Sequence, residues 1–370
     1  MLQQIQQIRD ELNAQFLERE EVVDGILTAI LSKNHVFFVG APGTAKSQIV
    51  NEVCSRITEA NYFQWLLTKF STPEEIFGTV SLKALENDEY RRVTTSKLPE
   101  AVIAFLDEIF KANSAILNSL LTAVNERKFH NNGHPTDIPL QSLFGASNEL
   151  PEGESLSALY DRFMLKYQVD YIIEDDSFRR LLIATVKSSP TEITLADLEK
   201  AQTEVETIPV SDAIIAKIVE LRRNLKAEGI IVSDRKWRQS LSVLKAYAYL
   251  NGHSEVTEDD FEILIHVLWN RPEQRRTVTK VVNTIANPVN QKAIEFLDIA
   301  TEIYNNAINA DKDKKTEAGV EANMKLKNVL KSVQEEIKNL PTNKAKKLKE
   351  VAEKVNEMNK TVVNQCLGID

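Results

Sequence analysis

"HVFFVGAPGTAKS", residues 35–47, decides how the rest of the chain is read. Its first half is a short apolar run, β-branched and aromatic, that enters a Gly/Pro turn, the pattern of a buried strand. Its second half, Gly40-Ala41-Pro42-Gly43-Thr44-Ala45-Lys46-Ser47, nearly spells the phosphate-loop pattern G-x-x-x-x-G-K-[ST], with alanine in place of the second glycine. "KSQIVNEVCSRIT" then continues with helical period. Strand, turn and helix are the context such a loop requires: successive backbone N–H groups wrap a phosphate, and the helix N-terminus adds its positive dipole end. In that setting Lys46 reaches the β- and γ-phosphates and the Ser47 hydroxyl ligates Mg²⁺. A turn with an incidental lysine is the alternative on this stretch alone. Ala45 bears on geometry: if the backbone there keeps φ < 0, alanine costs only a methyl group, and it removes no donor N–H.

A second stretch narrows the choice. "VIAFLDE", residues 102–108, sets Asp107 and Glu108 at the C-terminal end of a buried apolar strand, where ligands collect in open α/β sheets. One carboxylate there holds Mg²⁺ through water and its neighbour polarises a hydrolytic water. A merely solvated strand end accounts poorly for two adjacent acids after an unbroken apolar run. Together with the loop upstream, the pair points to an NTPase.

Around these motifs, "YFQWLLT" and "QSLFGASN" read as further buried strands, "SAILNSLLTAVNER" as an amphipathic helix, and "KFHNNGHPTDIPL" as a hairpin turning at Asn132-Gly133. Strands alternating with helices imply parallel pairing and an α/β core. After about Tyr171 nearly every segment is helical. The expected organisation is an α/β nucleotide-binding domain over 1–171, an α-helical lid over 172–287, and a Lys-rich helical extension over 288–370. In that extension Leu326, Leu330, Val333, Ile337 and Leu340 form one apolar stripe, and Leu348, Val351, Val355, Met358 and Val362 another, with Pro341 between them. The stripes predict an antiparallel helical hairpin packed on itself; a coiled-coil docking site is the alternative.

Composition sets bounds. The 370 residues carry a net charge of −9, which excludes a broad basic footprint for nucleic acid. The exception is Lys312 to Lys360, with 13 Lys against 8 acidic residues. Two cysteines, Cys54 and Cys366, build no disulfide framework and sit in no metal-ligand spacing. With a polar N-terminus and no apolar run near the ~20 residues of a membrane helix, a cytoplasmic protein without membrane insertion is expected.

With both motifs in place, the chain resembles the AAA+ superfamily, within it the MoxR group, and most closely the RavA branch. "GAPGTAKS", "KFSTPEEIFGTVS", "LPEAVIAFLDEIFKANSAILNSLLTAVNERKF", "ASNELPE", "ALYDRF" and "SDRKW" carry the resemblance. It implies a P-loop AAA+ core, a parallel sheet flanked by helices, followed by an all-α lid domain and the C-terminal helical hairpin. It implies ATP and Mg²⁺ as cofactors, with the loop from Gly40 through Pro42, Gly43, Thr44, Ala45, Lys46 and Ser47 to Gln48 on the phosphates, Ser47 and Asp107 on the metal, and Leu17 and Val22 beside the base. Asn148 matches sensor 1, Arg162 an arginine finger acting in trans, and Arg235 sensor 2, reaching from the lid to the nucleotide. Lys46, Asp107, Glu108, Asn148, Arg162 and Arg235 are thus the implied catalytic set. On residues alone, a local ion pair with Asp161 is the favoured reading of Arg162, since surface pairs are common. "STPEEIFGTVSLKAL" and "KFHNNGHPTDIPL" resemble elements that face the pore of a ring.

The function so implied is ATP hydrolysis by a homo-oligomeric ring, a hexamer favoured, that remodels or matures client proteins in a chaperone-like role with a von Willebrand factor A-domain partner. Two other readings stand beside it. One is a nucleotide-gated scaffold with little hydrolysis, which the Asp107/Glu108 pair argues against. The other is a nucleic-acid motor using the Lys-rich helices, which lack the interleaved aromatics that stacking needs.

Overall fold

The computed structural model describes residues 1–151, 154–183, 190–310, 315–338, 340 and 346–367. Two compact units divide the chain, Met1–Val278 and Thr279–Asp370. The first begins with helices α1 (Leu2–Gln15) and α2 (Glu20–Leu31), then strand β1 (Val36–Val39) and helix α3 (Lys46–Ser55). A short β2 (Ile57–Thr58) and β3 (Tyr62–Leu66) follow, then two brief helices, α4 (Pro73–Phe77) and α5 (Leu82–Leu85). Next come β4 (Ile103–Asp107), α6 (Ser114–Glu126), the ribbon β5 (Lys128–Asn131) and β6 (His134–Asp137), β7 (Ser142–Ser147), α7 (Glu154–Tyr160) and β8 (Leu165–Gln168). Helix α8 (Asp175–Ile183) and β9 (Ile193–Thr194) lead to the helices α9 (Leu195–Thr207), α10 (Asp212–Ala227) and α11 (Asp234–Leu250), then α12 (Arg275–Ala286). Helices α13 (Pro288–Ile308), α14 (Lys315–Lys338) and α15 (Lys346–Val362) follow, and a π-helical turn at Val363–Leu367 ends the described chain.

Five strands form one parallel sheet in the order β3-β4-β7-β1-β8. All four residues of β1 are buried, as a parallel strand covered on both faces requires. Successive side chains therefore enter opposite layers. Phe37 meets Phe110, Tyr160 and Phe163 at ring distances of 5.1, 5.2 and 5.6 Å, while Phe38 lies 6.3 Å from both Phe144 and Tyr167. The expected strands form, and so does the Asn132-Gly133 hairpin, with both turn residues at positive φ as a two-residue type I′ turn demands. The fifth strand, "LKYQ", was not legible: a lysine and a glutamine interrupt its apolar pattern, yet Lys166 is fully buried.

The second unit is a three-helix bundle. The two expected stripes face each other through Leu326, Val333, Leu348, Val351, Val355 and Val362, and Ala293, Ala300 and Ala307 of α13 add a third side. Alanine every seventh residue keeps α13 close to the hairpin helices. The hairpin therefore forms, and it is one part of a larger bundle. Pro341, expected at its turn, lies outside the described residues. No helix among the described residues is long and apolar enough to cross a membrane.

His35, just before β1, ties the sheet to α6. Its Nδ1 accepts from Leu143 N at 2.9 Å, so the proton sits on Nε2, which donates to Val124 O at 3.2 Å. Burial, and the nearby Arg127 cation, push its pKa down to about 4. Between that value and the unfolded pKa the unfolded chain binds a proton that the fold refuses, so stability falls as pH drops through the window. The loss is at most ~3 kcal/mol for this group. His35→Asn, which keeps an acceptor for Leu143 N, is expected to be less stable at neutral pH but to lose less on acidification; parallel urea-denaturation losses in both proteins between pH 7 and 4.5 would show that His35 does not set the slope.

Candidate functional site

Parallel pairing brings the carboxyl ends of β4, β7 and β1 side by side; β4 ends in Asp107 and β7 in Ser147, and β1 runs straight into a loop. The loop Gly40–Ser47 follows β1. Gly40 N donates to Ser147 O at 3.2 Å, continuing the β1–β7 ladder past the strand. A Cβ on Gly40 would stand 2.1 Å from Val169 O, so only glycine fits that close approach. Gly43 has φ +79 with open space around it, a conformational requirement and not a steric one. The Lys46 ammonium, folded over the loop, donates to Gly40 O at 2.8 Å and Ala41 O at 2.7 Å. Burial pulls its pKa below the ordinary lysine value, and the carboxylates of Asp107 and Glu108 offset part of that. Ser47 and Gln48 occupy the first turn of α3, whose N-terminus faces the loop.

Ala45 departs from the φ < 0 expectation. Its φ is +66, in the left-handed region, so the substitution carries backbone strain as well as a methyl group. That conformation costs an L-residue roughly 1–2 kcal/mol.

At the end of β4 the chain turns sharply. Glu108 is also left-handed, at φ +52, and its N–H donates to its neighbour's Asp107 Oδ1 at 3.0 Å. Asn148, just past β7, donates its Nδ2 to Glu108 Oε1 at 2.8 Å, and Lys111 Nζ lies 3.3 Å from Glu108 Oε2. Lys46, Asp107, Glu108 and Asn148 therefore share one edge of the sheet, with Glu108 held by an amide and a cation.

Beside the loop is a cavity of about 560 Å³. Gly43, Thr44, Ala45 and Gln48 form one side, Phe16 and Leu17 a second. Tyr171, Phe178 and Leu181 form the third, and the Tyr171 hydroxyl donates to Pro42 O at 3.2 Å. Leu17 lies where expected; Val22 is instead buried on α2 and does not line the cavity. The third wall was unread in the sequence. Exposed apolar residues after Tyr171 were the available signal, hidden because they read as an ordinary amphipathic helix.

Arg162 and Arg235 are elsewhere. Strand β8 runs parallel to β1 with Leu165 opposite Val36, so Arg162, three residues earlier, lies off the amino edge of the sheet. The four-residue strand alone spans about 10 Å, which separates Arg162 from its own chain's loop. Arg235, from α11, donates to Asp161 Oδ2 at 2.6 Å, and Arg162 Nη1 lies 3.5 Å from the same oxygen. The local ion pair is thus real, and it recruits the second arginine too. Arg235 is brought to Arg162 and not to the loop. Behind them Lys236 and Lys166 point their amines at one acceptor, Asn270 Oδ1, at 3.4 and 3.1 Å, and burial drives the Lys166 pKa well below its usual value.

Residues 3–208 match the family model described as the MoxR domain of MoxR–vWA–beta-propeller ternary systems, and residues 213–282 match an AAA lid domain. The chain is 41% identical over 319 residues to the uncharacterized protein MJ0812 of Methanocaldococcus jannaschii, covering 86% of this chain and 85% of that one. It is 26% identical over 276 residues to the chaperone MoxR1 of Mycobacterium tuberculosis, covering 68% and 71%. A solved structure described as a candidate ATPase of Cytophaga hutchinsonii superposes with a TM-score of 0.62 at 19% identity, over 77% of this chain and 95% of that one, a likeness of fold.

The left-handed Ala45 is testable. Ala45→Gly is expected to leave stability unchanged or raise it by up to ~1 kcal/mol, the strain relieved being partly offset by added unfolded-state entropy. Ala45→Val, β-branched at positive φ, should lower the thermal midpoint clearly. A valine variant as stable as the parent would contradict the observed backbone.

Proposed function

This chain belongs to the MoxR group of AAA+ ATPases, and from that premise we propose that it hydrolyses ATP to ADP and phosphate as a ring, six subunits favoured, and remodels or matures client protein complexes. The observation that carries the reading is the separation of the charged groups into two sets. Lys46, Asp107, Glu108 and Asn148 stand at the carboxyl edge of the sheet, while Arg162 stands off the amino edge, away from its own chain's loop, so a nucleotide that it serves would belong to another copy.

The residues fit the proposed ligands. The loop amides and Lys46 suit a triphosphate, the neighbouring cavity is of a size for a nucleoside, and Ser47 with Asp107 supplies the few oxygen ligands that Mg²⁺ takes from protein when phosphates and water supply the rest. Bound there, the ion would neutralise charge on the phosphates. Glu108, oriented by Asn148, accepts the proton of the attacking water. Lys46, now donating to neutral carbonyls of its own loop, transfers those hydrogen bonds to phosphate oxygens. Arg162 from the adjacent copy offsets the charge that develops on the terminal phosphoryl group.

A von Willebrand factor A-domain partner is proposed because the matching family model is named for systems that pair the domain with one, together with a beta-propeller protein. The chaperone-like role is proposed from the similarity to MoxR1.

Steady-state phosphate release tests the reading. Arg162→Ala is expected to lower turnover by ~10³-fold or more with nucleotide affinity nearly intact, and Glu108→Gln by ~10²-fold or more. Unchanged hydrolysis in Arg162→Ala would overturn the assignment in trans; negligible hydrolysis by the parent chain under assembling conditions would favour a nucleotide-gated scaffold.

A further inference from the structure

Leu17, Glu18 and Arg19 lie in the turn between α1 and α2. Leu17 lines the cavity beside the phosphate loop, and the two residues after it reach across to the opposite wall. The Glu18 carboxylate spreads over two backbone amides, Oε2 accepting from Ile173 N at 2.9 Å and Oε1 from Glu174 N at 3.0 Å. The Ser177 side chain, in the first turn of α8, is a third donor to it. Arg19, itself buried, donates from Nη2 to Asp170 O, and its Nη1 donates back to Glu18 O at 2.7 Å. The two side chains thus grip one segment, 170–177, from a single turn.

Apolar packing does not hold that segment in place, because no residue of α8 is buried. The Tyr171 hydroxyl adds one tie, to Pro42 O at 3.2 Å. Hydrogen bonds to an ionised carboxylate are roughly twice as strong as neutral ones, which makes Glu18 the strongest of these anchors. Glu18 also has φ +58, in the left-handed region where glycine alone is unstrained. Strain of this kind collects at ligand clamps.

The result is a set spacing between two walls. Phe16 and Leu17 stand on one side of the cavity, Tyr171, Ile172 and Phe178 on another. A planar base in van der Waals contact with both needs them roughly 7–8 Å apart, and the turn that carries Leu17 also fixes the facing wall.

We propose that Glu18 is a positioning residue for the nucleoside: through Ile173 N, Glu174 N and Ser177 it holds the wall of Tyr171 and Phe178 at stacking distance from Leu17. The inference rests on the nucleotide reading of this cavity and assigns the residue that shapes its base end. Its effect is confined to the base and leaves the phosphate contacts alone.

The test compares equilibrium binding of ATP and of inorganic tripolyphosphate to the full chain in the Glu108→Gln background. Glu18→Gly suits the left-handed backbone and removes only the carboxylate, so its melting curve should stay close to the parent's. It is expected to bind ATP at least ~10-fold more weakly and tripolyphosphate within about twofold of the parent. Glu18→Gln keeps one acceptor oxygen and should fall between. Amide exchange at Ile173 and Glu174 should quicken in the glycine variant. With Glu108 restored, KM for ATP should rise while kcat at saturation stays within about twofold. ATP affinity unchanged in Glu18→Gly would overturn the proposal, and so would equal losses for ATP and tripolyphosphate, since Glu18 would then support the phosphate loop instead of the base. A parent chain that binds neither ligand would remove the nucleotide reading itself.

Discussion

The register of β1 between β7 and β8 is the constraint on which the site depends. Val36 lies opposite both Phe144 and Leu165, and Val39 opposite both Ser147 and Gln168. Beyond the strand the ladder runs one bond further on each side, Gly40 N to Ser147 O and Val169 N to Val39 O. The phosphate loop therefore departs from a backbone gripped on both sides, and Lys46 is aimed by the sheet. A slip of one residue would move the loop by about 3.3 Å and exchange Phe37 with Phe38 between two differently shaped layers. Buried aromatics on both faces forbid that slip, which links the core's packing directly to the position of a charge.

The same sheet separates two cationic regions and handles them differently. At the carboxyl edge Lys46 has two carboxylates nearby and two carbonyls as direct partners. At the amino edge Arg162, Arg235, Lys166 and Lys236 gather with Asp161 as the near acid, while Tyr160 contributes its ring face 4.1 Å from Lys166 Nζ. Two lysines this deeply buried are tolerable only with neutral acceptors and at least one depressed pKa. Their shared partner, Asn270, ties β8 to α11, so the group also holds the lid helix against the core strand.

What was legible in the sequence follows from how local each signal is. The strand entering Gly40, the acids ending β4 and the Asn132-Gly133 turn depend on residues next to one another, and each was readable. Strand β8 was not, because Lys166 is buried by partners a hundred residues away, and no local pattern encodes that. The wall of Tyr171, Phe178 and Leu181 was missed for the same reason: its apolar residues cover a cavity formed by segments before and after it. Arg162 could be read as a finger or as an ion pair, and the geometry makes the two compatible, since Asp161 pairs with Arg162 and Arg235 together. The two stripes of α14 and α15 pair as their spacing implies, but α13 carries only alanines at its innermost positions and so gave a weak signal for the third side of the bundle.

Backbone strain marks both halves of the site. Ala45 and Glu108 are both left-handed non-glycine residues, and they flank the place where phosphate and attacking water would meet. Strain of ~1–3 kcal/mol at each persists only where the surroundings over-determine the conformation. At Ala45 they do: Lys46 bonds back to Gly40 and Ala41, and Ile49 N takes the Ala45 carbonyl as α3 begins. At Glu108 the backbone N–H is held by Asp107 and the carboxylate by Asn148 and Lys111. The left-handed turn ends β4 abruptly, so the carboxylate meets Asn148 on the neighbouring strand instead of continuing along its own. Relaxing Glu108 to an ordinary extended conformation would remove the strain and lose that contact. The strain at Glu108 is therefore the cost of bringing two adjacent strands' polar ends onto a single carboxylate, and a residue at that position has to tolerate it whatever its charge.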